Sequence, residues 1–139
     1  MLGGISLQLP NVDRSLQELD GEHWGAPEYP SHLVEESYRL RQIPLGDLSI
    51  ENMRLLIGQN MSLEWLIPLA LTRLQSEPLA EGDFFPGDLL LACLNADSEY
   101  WASHPEALAV LNDVVMELET NANFVLEQVL PAWQNIFKG

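Results

Sequence analysis

Basic residues are scarce in this chain of 139 residues, and they are missing from most of its second half. Six Lys and Arg stand against 21 Asp and Glu, which gives a formal net charge of −15. No Lys or Arg occurs between Arg73 and Lys138, although many acids do. A field of this sign repels nucleic acid and anionic lipid, and it accelerates the encounter with a basic protein. A solvated acidic surface that serves solubility is the alternative interpretation.

The residue types that build metal, redox and nucleophilic sites are also few. Cys93 is the single cysteine, so no internal disulfide can form, and its apolar neighbours predict a buried side chain. The three histidines lack the spacing of metal ligands or of a nucleophile with its base. No Gly-rich phosphate loop occurs. We therefore expect no catalytic constellation, no metal site and no cofactor.

Long apolar runs and an N-terminal leader are missing as well. No stretch approaches the roughly 18 apolar residues of a membrane span, and the first residues lack the basic region and apolar core of a signal peptide. We expect a cytoplasmic protein that makes no membrane contact. The length predicts a single domain over residues 1–139, with residues 1–30 as a loosely ordered segment packed on it.

Helical periodicity dominates the rest of the chain. Segment 62–75 is apolar nearly all round, which predicts a central enclosed helix with a kink at Pro68. Ser31 and Ser49 are expected to cap helices. After Pro105, an apolar stripe is expected at Leu108, Leu111, Val115 and Leu118. The predicted fold is all-α: a compact single-domain bundle of about six to eight helices, several of them short, around the 62–75 helix.

The segment EGDFFPGDLL, residues 81–90, concentrates acids and aromatic residues. Glu81, Asp83 and Asp88 offer three carboxylates for a metal or for acid–base work, but their spacing does not match a calcium loop. Asp88 directly precedes an apolar helix, which favours helix capping. Phe84 and Phe85 are expected to anchor the loop to the core. The role of Asp83 stays open between a turn hydrogen bond and an ion pair with an arginine.

The middle of the chain resembles the immunity proteins of bacterial contact-dependent growth-inhibition (CDI) systems. The resemblance rests on Pro44-Leu45, RLLIGQ (54–59), PLAL (68–71) and PLAEGDFFPGDLL (78–90), in that order and followed by Trp101. Phe85 departs from the Tyr expected there. We refer to the residues of this pattern that are expected to shape the scaffold as the box: Arg54, Gln59, Asp83, Phe84, Phe85, Pro86, Gly87 and Asp88.

The resemblance implies a small cytoplasmic protein without enzymatic activity that binds and neutralises the toxic C-terminal domain of a delivered effector. Family toxins are commonly nucleases, whose basic active sites would suit an acidic partner. The free chain is expected to be a monomer and to bind the toxin 1:1, without touching nucleic acid. Arg54 and Arg73 are candidate partners for Asp83.

The toxin contacts are predicted from charge alone. Asp113 and Glu117 are like charges four residues apart, a repulsion of about 0.2–0.5 kcal/mol that a cationic partner would relieve. The expected binding face comprises Asp97, Glu99, Trp101, Glu106, Asp113 and Glu117. Two other hypotheses remain open: a carboxylate- or metal-dependent hydrolase that uses the Glu81/Asp83/Asp88 loop, and an acidic adaptor for another basic protein.

Overall fold

The computed structural model describes residues 7–28 and 31–138 and is helical throughout, which confirms the all-α prediction. No β-strand occurs in these ranges, only the isolated bridges Ser15–Pro44 and Glu81–Pro86. The elements are, in order, α1 (Leu16–Asp20), α2 (His32–Leu40), a 3₁₀ turn (Leu45–Asp47), α3 (Ile50–Gly58), α4 (Leu63–Ser76), α5 (Asp88–Leu94), α6 (Ser98–Ser103), α7 (Pro105–Phe124), a π-helical turn (Val125–Val129) and α8 (Leu130–Lys138).

Serine side chains start three of the helices. Ser31 accepts a hydrogen bond from the Val34 N–H and Ser49 accepts one from the Asn52 N–H, so both predicted caps are confirmed. Ser15 caps α1 in the same way, which orders the part of the N-terminal segment that the structure describes. Each cap satisfies a backbone donor that has no partner within the helix, a gain of about 1 kcal/mol.

The predicted central helix is α4. Leu66, Ile67, Ala70, Leu71 and Leu74 are completely buried, and α3, α5 and α7 pack around this helix. The helix continues through Pro68, whose carbonyl accepts a hydrogen bond from the Thr72 hydroxyl at 3.0 Å. One core of buried residues thus extends from Leu16 in α1 to Val114 in α7, and Cys93 is buried in it as predicted.

Helix α7 turns a different face to the core than its sequence suggests. Its buried residues are Ala107, Val110, Leu111 and Val114, whereas Val115 is exposed. Of the predicted stripe, Leu111 is buried and Leu108 and Leu118 are half-buried against the core, so the prediction is confirmed in part and Val115 is its error. The buried face is rotated by roughly 70° from the predicted one, at about 100° per residue. Packing against α4 decides the rotation, because α7 carries apolar residues on more than one side.

The last quarter of the chain is one uninterrupted helix, residues 105–138. The π-helical turn Val125–Val129 joins α7 to α8, so Pro131 neither ends nor divides the helix. A proline ring clashes with the carbonyl four residues before it, and the wider π turn over that position accommodates the ring. All residues from 119 to 138 are exposed. Within the described ranges, no helix has both the length and the apolar content needed to cross a membrane.

A buried ion pair that the sequence did not predict joins the first two helices. The Arg41 side chain, which is 2% exposed, donates to both Asp20 carboxylate oxygens at 2.8 and 2.9 Å and to the Glu22 carbonyl at 3.0 Å. Trp24 lies over the guanidinium, 4.0 Å from ring centroid to carbon. Burial raises the pKa of Asp20, but the Arg41 hydrogen bond and charge outweigh burial and hold the pKa below its usual range.

Candidate functional site

The loop that carries most of the box, residues 81–87, is organised around the buried Asp88 carboxylate. It accepts backbone hydrogen bonds from Gly82 at 2.7 Å, Phe84 at 3.1 Å and Phe85 at 3.4 Å. Burial raises the pKa of Asp88, yet these N–H groups and that of Leu89 together hold it below the usual value. The ionised carboxylate therefore closes the loop onto the start of α5.

Helix capping by Asp88 differs in detail from the prediction. The residue before α5 is Gly87, which has φ +93° and no side chain to cap with, and Asp88 is already the first helical residue. Its carboxylate folds back onto the preceding loop and does not mainly serve the helix. Gly87 suits this place because L side chains rarely adopt such a φ value.

A second carboxylate, Glu51, binds the other side of the loop and was missed by sequence reasoning. It accepts from the Arg54 guanidinium at 2.7 and 2.6 Å and from the Asp83 N–H at 2.9 Å. The Arg54 hydrogen bond is the main reason why the pKa of Glu51 is lowered. The spacing of three residues on α3 was an available signal for the pair, but nothing local pointed from Glu51 to residue 83.

Gly82 lies between these two carboxylates. A Cβ at this position would be 2.5 Å from Glu51 Oε1 and 3.1 Å from Asp88 Oδ2, so any side chain would push the loop away from α3. Arg54 pairs with Glu51 and not with Asp83, whose side chain faces solvent. Hydrogen bonds to Glu51 of α3 and Asp88 of α5 thus fix the loop between these two helices.

Phe84 and Phe85 do not anchor the loop to the core, contrary to expectation. Their side chains are 66% and 47% exposed. Phe84 lies over the Arg54 guanidinium, with 4.4 Å between the guanidinium carbon and the ring centroid. Pro86 is exposed and forms an isolated bridge with Glu81, and Gln59 is exposed at the end of α3. The backbone bonds to Asp88 and Glu51 hold the loop, and the rings are left on the surface.

The loop is poorly suited to the chemistry of a hydrolase. Asp88 is buried and its oxygens are occupied by backbone N–H groups, while Glu81 and Asp83 are exposed. In the described part of the chain, no three His, Cys, Asp or Glu side chains are grouped so that they could hold a metal ion. This arrangement offers neither a free buried acid nor a converging set of ligands.

Five of the six residues predicted to bind a partner lie on the surface. Asp97, Glu99, Glu106, Asp113 and Glu117 are exposed. Asp97 also accepts from the Glu99 N–H at 3.1 Å at the start of α6, and its own N–H donates to Asn60 Oδ1 at 2.8 Å.

Trp101 differs from its predicted place. It is buried, and its indole N–H donates to the Cys93 carbonyl at 3.2 Å. It therefore packs α6 onto the core and presents no surface to a partner.

One protein family matches most of this chain. The family is described as CDI immunity proteins, and its sequence pattern matches residues 18–111, which include the complete box, the buried Arg41 and the start of α7. The chain belongs to this family. No curated protein and no solved structure matches this chain significantly. The resemblance expected from the sequence is thereby confirmed.

The electrostatic surface of this CDI immunity protein divides along the chain. Every ion pair among the described residues lies between residues 14 and 54: Arg14–Glu18, Arg39–Glu36, Arg41–Asp20 and Arg54–Glu51. None of the 11 acids from Glu77 to Glu127 has a basic partner within 4.0 Å in the described ranges. The immunity protein thus keeps its acidic half uncompensated.

The acids of α7 lie beside the face that this helix buries. At about 100° per residue, Glu106, Asp113 and Glu117 fall within roughly 40° of one another and about a quarter turn from the buried face. We refer to the exposed acids Asp97, Glu99, Glu106, Asp113 and Glu117 as the acidic face. Asp113 and Glu117 lie beyond the residues that the family pattern matches.

Proposed function

We propose that this immunity protein binds the toxic C-terminal domain of its cognate CDI effector through the acidic face and blocks it in the cytoplasm, without catalysis of its own. The observation that carries the proposal is the set of acids without ion pairs after residue 76, in a chain whose arginines up to Arg54 are all paired. Uncompensated charge of one sign is typical of a surface that meets the opposite sign in a complex.

The target surface is basic in this proposal, and a nuclease fits that description. A nuclease holds phosphate through Lys and Arg, so its substrate channel attracts an acidic protein. The repulsion between Asp113 and Glu117 would be relieved when a cation lies between them. The box has a different role: its hydrogen bonds are internal, so it positions α3 and α5 and does not select the toxin.

The test compares two pairs of charge reversals of equal size. Asp113→Lys with Glu117→Lys alters the acidic face, and Glu28→Lys with Glu35→Lys alters exposed acids elsewhere. Either pair changes the net charge by four units, from −15 to −11. We expect the first pair to raise the Kd for the toxin domain at least about tenfold and to remove protection of the target cell, and the control pair to raise the Kd about twofold.

The salt dependence of binding gives a second measure. Wild-type affinity should fall as salt is raised, and the Asp113/Glu117 variant should show the weaker dependence. Equal loss in both pairs would mean that only net charge matters and would reject the acidic face. Absence of a complex at low salt would reject the proposed function itself.

A further inference from the structure

The C-terminal arm, which we define as residues 119–138, exposes an apolar face that no part of residues 7–28 and 31–118 covers. Leu126, Leu130, Trp133 and Phe137 recur at helical spacing, and an i, i+4 step keeps its side across the π turn. Three aromatic side chains, Phe124, Trp133 and Phe137, are 59%, 54% and 73% exposed. Phe124 lies two residues before Leu126 and therefore on another side of the helix. At about 200 Å² for each aromatic side chain, Trp133 and Phe137 present roughly 250 Å² on the face itself. Such a patch on a monomer marks an interface.

The arm also lacks the means to stay helical alone. It has β-branched residues and asparagines of low helix propensity and, in the described chain, no ion pair. Most helical stability in proteins comes from packing of an apolar face. The arm is helical over about 30 Å at 1.5 Å per residue, so a packing partner is the physical explanation for its order.

Charge indicates which partner this is. Within the arm, Glu119 and Glu127 are the only acids and Lys138 is the only base, so it carries −1 of the chain's −15. A basic surface would gain little from so neutral a segment, whereas a second arm is equally neutral and equally apolar. We propose that the arm pairs with the arm of a second copy of this chain, antiparallel, to form a homodimer. The proposal departs from the monomer expected from the sequence.

The charges of the arm also favour an antiparallel over a parallel arrangement of the two helices. An antiparallel pair centred between residues 128 and 129 places Lys138 at the level of Glu119 of the second copy, and Trp133 at the level of Phe124. The acidic bodies then lie at opposite ends, about 30 Å apart, which is several Debye lengths at physiological salt. A parallel pair would bring the two bodies, each with a charge of −14, side by side and would set Glu127 against Glu127.

The available area corresponds to a small interface. A stable interface buries about 800 Å² on each partner. The side chains on the face and beside it, Val125, Leu126, Val129, Leu130, Trp133 and Phe137, are between 37% and 73% exposed. At about 150–200 Å² for each side chain they offer roughly 500 Å² on each copy, which is a small interface.

Sedimentation equilibrium of the full chain tests the proposal directly. From about 1 to 100 µM, wild type should have twice the mass of one chain. Trp133→Ser with Phe137→Ser should give a single-chain mass and keep a cooperative urea transition, which shows that the body still folds. Leu91→Ser with Leu94→Ser removes two exposed apolar side chains from α5 and should leave the dimer intact. A monomeric wild type, or a dimer that survives the arm substitutions, overturns the proposal.

Charge exchange tests the direction of the pair. Lys138→Glu alone, or Glu119→Lys alone, should weaken the dimer severalfold, and the double variant should restore it. In a parallel pair the double variant would leave like charges facing each other and would not restore affinity; that result overturns the antiparallel arrangement. None of these measurements involves a toxin, so their failure is distinguishable from failure of the proposed function. A monomer whose arm substitutions abolish toxin binding would assign the arm to the toxin and overturn the homodimer.

Discussion

Half of the carboxylates in residues 14–54 pair with arginines, namely Glu18, Asp20, Glu36 and Glu51, whereas those in residues 77–127 face solvent or accept from backbone N–H groups. The first region, which we call the paired region, pairs charge within helices and, at the buried Arg41–Asp20 pair, between α1 and the end of α2; Arg54–Glu51 is a partly buried pair within α3. The second, the unpaired region, keeps its charge available at the surface. Neutralisation of an acidic side chain should therefore lower the free energy of unfolding at the pairs of the paired region and raise it at the surface of the unpaired region.

The largest effect is expected at the buried pair of the paired region. Arg41→Ala removes a buried side chain and leaves the partly exposed Asp20 carboxylate without its partner. We therefore expect the free energy of unfolding to fall by about 3 kcal/mol, the lower end of the range for a buried pair, as measured by urea titration. Arg39→Ala is the control, because that arginine is exposed and pairs with Glu36 at the surface. Unfolding of both variants at the same urea concentration would contradict the claim that the buried pair stabilises the fold more than the surface pair does.

The exception within the unpaired region is Asp88, which is bound by backbone N–H groups. Asp88→Asn removes the charge that three of them need, and we expect a loss of about 1.5–3 kcal/mol in the free energy of unfolding. Asp83→Asn, five residues earlier and exposed, should change it by less than about 0.5 kcal/mol.

The pH dependence of the Asp88 variant follows from the same pKa. Because folding lowers the pKa of Asp88 below 3.8, its contribution is complete above that pH and is lost as the pH falls through the folded-state value. The difference between wild type and Asp88→Asn should therefore shrink below pH 3.8. A difference that stays constant into strong acid would mean that shape, and not charge, carries the role of Asp88.

The smallest effect, and the one with reversed sign, is expected on α7. Asp113→Asn relieves repulsion with Glu117 and should raise the free energy of unfolding by about 0.2–0.5 kcal/mol. Glu106→Gln is the matched control: Glu106 lies in the first turn of α7, where its charge complements the helix dipole, so neutralisation should lower stability by about 0.3–1 kcal/mol. Thermal unfolding at low salt measures both. A loss of stability in Asp113→Asn would contradict the description of this region as uncompensated.

Local rules predicted the parts of the fold that depend on local contacts. Ser31 and Ser49 cap helices because a serine oxygen needs only the N–H three residues on. The all-round apolar pattern identified α4 for a similar reason: a helix without a polar side has to be enclosed. The box was recognised as a pattern, although its hydrogen bonds to Glu51 were not predicted.

Features that depend on distant contacts were missed. Arg41 and Asp20 are 21 residues apart, and no spacing rule connects them. The inward face of α7 was rotated in the prediction because small residues such as Ala107 and Val110 also pack on α4, and the sequence does not show which apolar side the partner helix meets. The Phe pair was assigned to the core from its composition, whereas the backbone bonds that hold the loop leave both rings outside.

Because no loop separates α7 from α8, the arm is a rigid spacer whose length fixes the distance and the angle between the body and the tip. Each residue added to or removed from it changes the separation of its two ends by about 1.5 Å and turns the tip by about 100°. Insertion of four residues would lengthen the arm by about one turn and keep Trp133 on nearly the same side of the helix. Insertion of two residues would move Trp133 to the opposite side. Length variation in this one segment can therefore change the geometry of an assembly while neither the acidic face nor the box is altered.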